Sequence, residues 1–126
     1  MKEAIALFIN DIHVNKDNIA EFNQNWKEML SVCKRENIAD IVIGGDVFTS
    51  RASQTLATLL AVKAALTEAV RQGIYITIGE GNHDKTDQEA IEGYNHLWVG
   101  LKGIDVVDTH KTLYWEGCDF CLLLMS

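Results

Sequence analysis

Short apolar runs alternate along the chain with longer segments whose apolar residues recur at helical spacing. Residues 4–9, 41–43 and 74–78 form continuous apolar runs, which are typical of strands buried on both faces of a parallel sheet. The helical spacing between the first two runs involves Ile19, Phe22, Trp26, Met29, Leu30 and Cys33. A second helical set, before the third run, consists of Leu56, Leu59, Leu60, Leu66, Ala69 and Val70. The pattern predicts an α/β fold with a β-α-β-α-β core.

Polar and glycine residues mark the expected ends of the two helices. Asn18 and Glu21 match a capping box at the start of the first helix. The second helix is expected to start near Ser53, and Gly73 lies where a helix C-cap is expected. Further along, the sequence predicts a helix over residues 88–97 and strands over residues 104–107, 112–115 and 120–125.

The composition limits the class of protein. With 126 residues, of which 48% are hydrophobic, we expect a single domain over residues 1–126 with a substantial core. The strongly apolar stretches are far shorter than the ~20 residues that span a bilayer, so we expect no membrane segment. The start of the chain shows no basic leader, and we expect a cytoplasmic protein. A net charge of −7 argues against a broad phosphate-binding surface.

The cysteines do not indicate a disulfide framework. Their number, three, is odd, and a cytoplasmic chain is expected to keep thiols reduced. Cys118 and Cys121 have C-x-x-C spacing, but no second pair or ligand-type histidine accompanies them. We interpret both as ordinary strand residues.

Three polar clusters directly follow the three apolar runs: Asp11-Ile12-His13, Gly45-Asp46 and Gly81-Asn82-His83-Asp84. Because the carboxyl ends of parallel strands meet at one sheet edge, the clusters are expected to converge there. Oxygen and imidazole ligands suit Mn, Fe or Zn. In an extended loop, the two side chains of the first cluster would point to the same face and could bind one ion together. Taken singly, each cluster could equally be a polar turn or a helix cap.

In this order and spacing, the clusters resemble the first three motifs of the calcineurin-like metallophosphoesterases, over about residues 4–108. The resemblance implies a β-sandwich flanked by helices, of which this chain would form the first half. It also implies that the protein hydrolyses phosphoesters with two divalent metal ions. Mn is the first candidate for these ions, and Fe, Zn and Mg are the alternatives. Asp11 and His13 would bind the first ion, Asp46 would bridge both ions, and Asn82 would bind the second.

The same resemblance implies that His83 is not a ligand and faces the scissile phosphate as general acid or transition-state stabiliser. As a hypothesis about the mechanism, we expect Asp84 to orient the imidazole ring of His83. The family completes its site with a further His and a Gly-His-x-His motif, which this sequence lacks. The remaining histidines, His96 and His110, are expected in a helix and in a loop or strand end, and not as ligands.

Residues 45–53 and 103–107 are most similar to the SbcD-type DNA repair exonucleases. This similarity implies a DNA exonuclease with an SbcC-like coiled-coil ATPase as possible partner. Thr49 stands where some of those nucleases carry His or Asp. Three alternatives stay open: a small-molecule phosphodiesterase, a non-catalytic module completed by a partner, and a homodimer. The missing motif and the apolar last strand favour a fragment of a longer protein.

Overall fold

The computed structural model describes residues 4–48, 54–79, 94–107, 110–117 and 121–125. Its elements in chain order are β1 (Leu7–Ile9), α1 (Ile19–Glu36), β2 (Asp40–Ile43), α2 (Leu56–Arg71), β3 (Tyr75–Gly79), a 3-10 helix (Tyr94–Trp98), β4 (Ile104–Val107), β5 (His110–Tyr114) and β6 (Cys121–Met125). This order confirms the predicted α/β class and its β-α-β-α-β start.

The first four strands form one parallel sheet in the order β1-β2-β3-β4. Phe8 lies beside Val42, Val42 beside Thr77, and Thr77 beside Asp105. Consecutive strands are neighbours, and right-handed crossovers therefore place α1 and α2 on the same face of the sheet, where they contact each other. All four carboxyl ends lie at one edge.

The main core lies between this sheet and the two helices. The sheet contributes side chains that are at most 1% exposed: Ile41, Ile43, Ile76 and Ile78. The indole N–H of Trp26 on α1 donates to the backbone carbonyl of Ala65 on α2 over 2.8 Å. The two helices are therefore joined by a buried hydrogen bond as well as by apolar contact.

An antiparallel hairpin, β5–β6, covers part of the opposite face. Val42 and Val107 pack there against Leu113, Trp115 and Leu122. The ring of Trp115 also meets Phe8 edge-on, with ring centroids 5.9 Å apart. The hairpin gives the chain a second sheet layer, as the resemblance implied.

The first strand departs from its prediction. It begins at Leu7 rather than at residue 4, and it is not buried on both faces, since Phe8 is 50% exposed. In the described part of the chain β1 has a single neighbour, β2. An apolar run indicates a strand but does not show whether a second strand flanks it.

The capping box predicted for α1 is wrong. Asn18 is the N-cap residue, but its side chain makes no cap hydrogen bond. Its Oδ1 accepts from the backbone N–H of Asn15 over 2.8 Å, and its Nδ2 donates to the carbonyl of His13 over 2.9 Å. The carboxamide therefore stabilises the preceding loop instead of the first turn of the helix.

The second helix starts later than predicted, at Leu56. The Thr55 hydroxyl accepts a hydrogen bond from the backbone N–H of Thr58 and caps the start of α2. Ser53 lies outside the described residues. Leu56 and Leu60 are 70% and 54% exposed, so these two members of the predicted helical set do not lie on the buried side of the helix. The buried stripe comprises Thr58, Val62, Ala65, Leu66 and Ala69.

Smaller differences concern the second half. Of the helix expected over residues 88–97, the structure describes a 3-10 helix from Tyr94 that contains His96. The fifth strand starts at His110, two residues earlier than expected. Cys33 is a buried free thiol, whereas Cys118 and the side chain of Cys121 lie outside the described part. No helix in the described ranges is long and apolar enough to cross a membrane.

Candidate metal centre

Backbone hydrogen bonds hold together the loops that follow β1 and β2. The N–H of His13 donates to the carbonyl of Asp46 over 3.1 Å, and that of Val14 donates to Val47 over 2.7 Å. Val14 and Phe48 form a parallel bridge, and both are 0% exposed. The parallel pairing thus continues past the strands, and it fixes the register of the polar residues in the two loops.

Three polar residues of these loops have left-handed backbone. The φ angles are +54° at Asp11, +52° at His13 and +54° at Asp46. This conformation is uncommon for residues other than glycine, and it costs roughly 1–2 kcal/mol for an L-residue. The prediction of an extended loop from Asp11 to His13 is therefore wrong. The side chains of Asp11 and His13 come together because both residues have a left-handed backbone conformation.

The side chains of these three residues form one cluster. Each offers one potential ligand atom, and these atoms all lie within 4.8 Å of one another. His13 Nε2 lies 3.7 Å from Asp11 Oδ1. The Asp11 side chain is 68% exposed, whereas Nε2 of His13 is shielded from solvent. The cluster therefore has a buried side and a side open to solvent.

The chemistry of the cluster fits a divalent cation. Metal–ligand bonds of about 2.1 Å place opposite ligand atoms at most ~4.2 Å apart, so only a small contraction closes the set around an ion. Two carboxylate oxygens at up to 4.8 Å repel each other by roughly 1 kcal/mol in water, and by about 3.5 kcal/mol at an effective dielectric of ~20. A bound cation would replace this repulsion by attraction.

Glycines allow the strand ends to approach closely at this edge. A Cβ on Gly44 would lie 1.9 Å from the Asn10 Oδ1, and a Cβ on Gly79 would lie 3.3 Å from the carbonyl oxygen of Gly44. Gly45 has a φ of +129°, which side chains rarely adopt. The turn after β2 therefore needs residues without a Cβ at Gly44 and Gly45.

Comparison with known proteins identifies the family. The sequence model of the calcineurin-like phosphoesterases matches residues 6–120. The chain belongs to this family. Among solved structures, this chain is similar to the crystal structure of Pseudomonas putida nuclease MPE, with 20% identity and a TM-score of 0.54. The match covers 81% of this chain and 46% of that one, so this chain spans less than half the length of that nuclease. No curated protein matches the sequence.

The third motif of the phosphoesterase pattern is Asn82, His83 and Asp84, and it lies outside the described residues. β3, which precedes it, ends at Gly79 on the same edge as the cluster. His96 lies in the 3-10 helix, and His110 is exposed at the start of β5. Neither belongs to the candidate ligand cluster found among the described residues.

Sequence reasoning missed the residue that holds the first loop. Asn18 was interpreted as a helix cap, yet its Nδ2 bonds the carbonyl of His13 over 2.9 Å. Asn15 forms a further turn, in which its Oδ1 accepts from the N–H of Asp17 over 2.8 Å. The signal was the Asn-x-x-Asn spacing after Asp-x-His, since asparagine side chains commonly bond nearby backbone groups.

Proposed function

We propose that the protein is a metal-dependent phosphoester hydrolase of the phosphodiesterase or nuclease type, which works with two divalent ions, Mn first among them. The observation that carries this proposal is the convergence of Asp11, His13 and Asp46 at the carboxyl edge of the sheet. Membership of the calcineurin-like phosphoesterases supports it. These three residues would serve as ligands, with Asp46 able to bridge two ions through its two oxygens.

The chain's own groups would act as follows. The side-chain amide of Asn18 donates a hydrogen bond to the backbone carbonyl of His13 and holds the loop that presents the imidazole. Asn82 would be a ligand of the second ion. His83 would protonate the leaving oxygen or stabilise the charge of the transition state, and Asp84 would orient the imidazole ring. The bound ions would act as Lewis acids and lower the pKa of a coordinated water.

Hydrolysis of a model diester tests this proposal. We expect Mn²⁺-dependent cleavage of bis(p-nitrophenyl) phosphate by the full protein, and a rate at least about a hundredfold lower in Asp46→Asn, because loss of even an outer-shell partner of a metal costs 10–100-fold. Asp17→Asn is the matched control, because Asp17 is exposed in the same loop region as His13 and lies outside the cluster. Equal rates in Asp46→Asn and in the unmodified protein would contradict the proposal.

The first candidate substrate is DNA, as for the nuclease-type relatives that the sequence resembles. The net charge of −7 favours a second candidate, a small-molecule phosphodiester, because a broad DNA-binding surface needs clustered basic residues. Single- and double-stranded DNA should be compared with the model diester under the same Mn²⁺ concentration. If the protein cleaves the model diester but leaves both forms of DNA uncleaved, the result would favour the small-molecule substrate. Metal-independent binding of an SbcC-like ATPase without turnover would indicate a non-catalytic module.

A further inference from the structure

A cavity of about 370 Å³ opens between the loop after β1 and the first half of α1. Its floor includes Phe22 and Trp26, which are 7% and 6% exposed. Its rim includes Glu21 and Asn25, which are exposed on α1. The volume falls within the range of small-molecule pockets, which are mostly apolar with a few polar groups at the edge.

The cavity adjoins the candidate metal centre. Asp11 lines the cavity and also belongs to the cluster with His13 and Asp46. A group bound in the cavity would therefore lie beside a phosphate held at the metal centre. This position is suited to the organic part of a phosphoester.

The charges around the cavity disfavour an anionic occupant. Asp11 and Glu21 contribute carboxylates, and the described residues that line it include no Lys, Arg or His. The amide of Asn18 already bonds two backbone groups. The carboxamide of Asn25 makes no hydrogen bond within the part of the chain that the structure describes, so both its donors and its acceptor can serve a ligand.

We propose that this cavity binds the uncharged heteroaromatic group of the substrate, a nucleobase, while the phosphate lies at the metal centre. The inference rests on the proposed function, which it extends by naming the part of the substrate that is recognised. The apolar floor would contact the ring. The carboxamide of Asn25 would bond its edge, and Glu21 would accept from an exocyclic amino group.

A titration with adenosine tests the cavity without using metal or turnover. Adenosine carries no phosphate, so the metal-free protein should bind it without repulsion from the acidic cluster. We expect saturable shifts in ¹H–¹⁵N NMR spectra at the indole N–H of Trp26 and at the side-chain amide of Asn25. Absence of saturable shifts at both groups with millimolar adenosine would overturn the proposal.

Two variants sharpen the test. Asn25→Ala should weaken adenosine binding about two- to tenfold, which corresponds to the net loss of one hydrogen bond. Asn23→Ala is the matched control, because Asn23 is also exposed on α1 but does not line the cavity. We expect its affinity to equal that of the unmodified protein. Equal weakening in both variants, or in neither, would overturn the role of Asn25.

A Mn²⁺ titration of the same sample separates this inference from the proposed function. Adenosine binding at these groups supports the cavity assignment, whether or not Mn²⁺ binds. Mn²⁺ binding that is abolished by Asp46→Asn, without any adenosine response, overturns the cavity assignment and leaves the metal centre intact.

Discussion

The left-handed backbone at His13 leads to an unusual stability prediction. With a φ of +52°, this position suits glycine better than any residue with a Cβ. We expect His13→Gly to be more stable than His13→Ala in the absence of metal. Both variants lose the imidazole equally, so their difference measures the backbone alone.

The magnitude follows from two opposing contributions. A left-handed conformation destabilises an L-residue by roughly 1–2 kcal/mol. This destabilisation applies to alanine but not to glycine. Glycine gains conformational entropy in the unfolded chain, which destabilises the folded state by about 0.5–1 kcal/mol relative to alanine. The midpoints of these two ranges make the glycine variant more stable by about 0.75 kcal/mol.

Asn23 supplies the control position. It lies inside α1 and is exposed. Asn23→Gly should there be less stable than Asn23→Ala by about 1 kcal/mol, because glycine is a poor helix former. The order of glycine and alanine should thus reverse between the two positions.

Urea unfolding of the metal-free variants, followed by circular dichroism, measures these differences as shifts in midpoint at constant slope. His13→Ala at least as stable as His13→Gly, with the expected order at Asn23, would refute the left-handed conformation. It would also remove the structural reason for the convergence of this imidazole with the two carboxylates.

Two further predictions concern packing, and urea unfolding measures both. Gly103→Ala should lower the free energy of unfolding by about 1–3 kcal/mol more than Gly100→Ala does. Both glycines have positive φ angles (+84° and +90°), but only a Cβ on Gly103 would meet Val70, at 2.9 Å. Equal losses of stability would contradict the close contact with α2. Trp26→Phe should cost at least about 1–3 kcal/mol, because the carbonyl of Ala65 loses a buried donor at 2.8 Å; a neutral substitution would contradict the bond between the helices.

The convergence of the first two polar clusters could be predicted from sequence, because it depends on a general property of parallel sheets. Apolar runs located the strands, and the carboxyl ends of neighbouring parallel strands meet at one edge. The backbone that presents the side chains could not be predicted. Asp11, His13 and Asp46 adopt left-handed backbone conformations although none of them is glycine. Backbone hydrogen bonds between the two loops impose these conformations.

Residues with several possible partners also escaped prediction. Asn18 could have capped α1 or bonded the preceding loop, and local spacing did not decide between these alternatives. Leu56 and Leu60 fit a helical period but lie outside the buried stripe of α2, whose direction is set by tertiary contact. Similarly, the apolar character of β1 did not reveal its position at the edge of the described sheet.

Calorimetric titration of the metal-free protein with Mn²⁺ tests the central claim most directly. The claim is that Asp11, His13 and Asp46 together form a divalent-metal site. We expect saturable Mn²⁺ binding that weakens at least about tenfold in Asp46→Asn and is unchanged in the control Asp17→Asn. Absence of Mn²⁺ binding by the unmodified protein, or equal affinity in Asp46→Asn, would contradict the account.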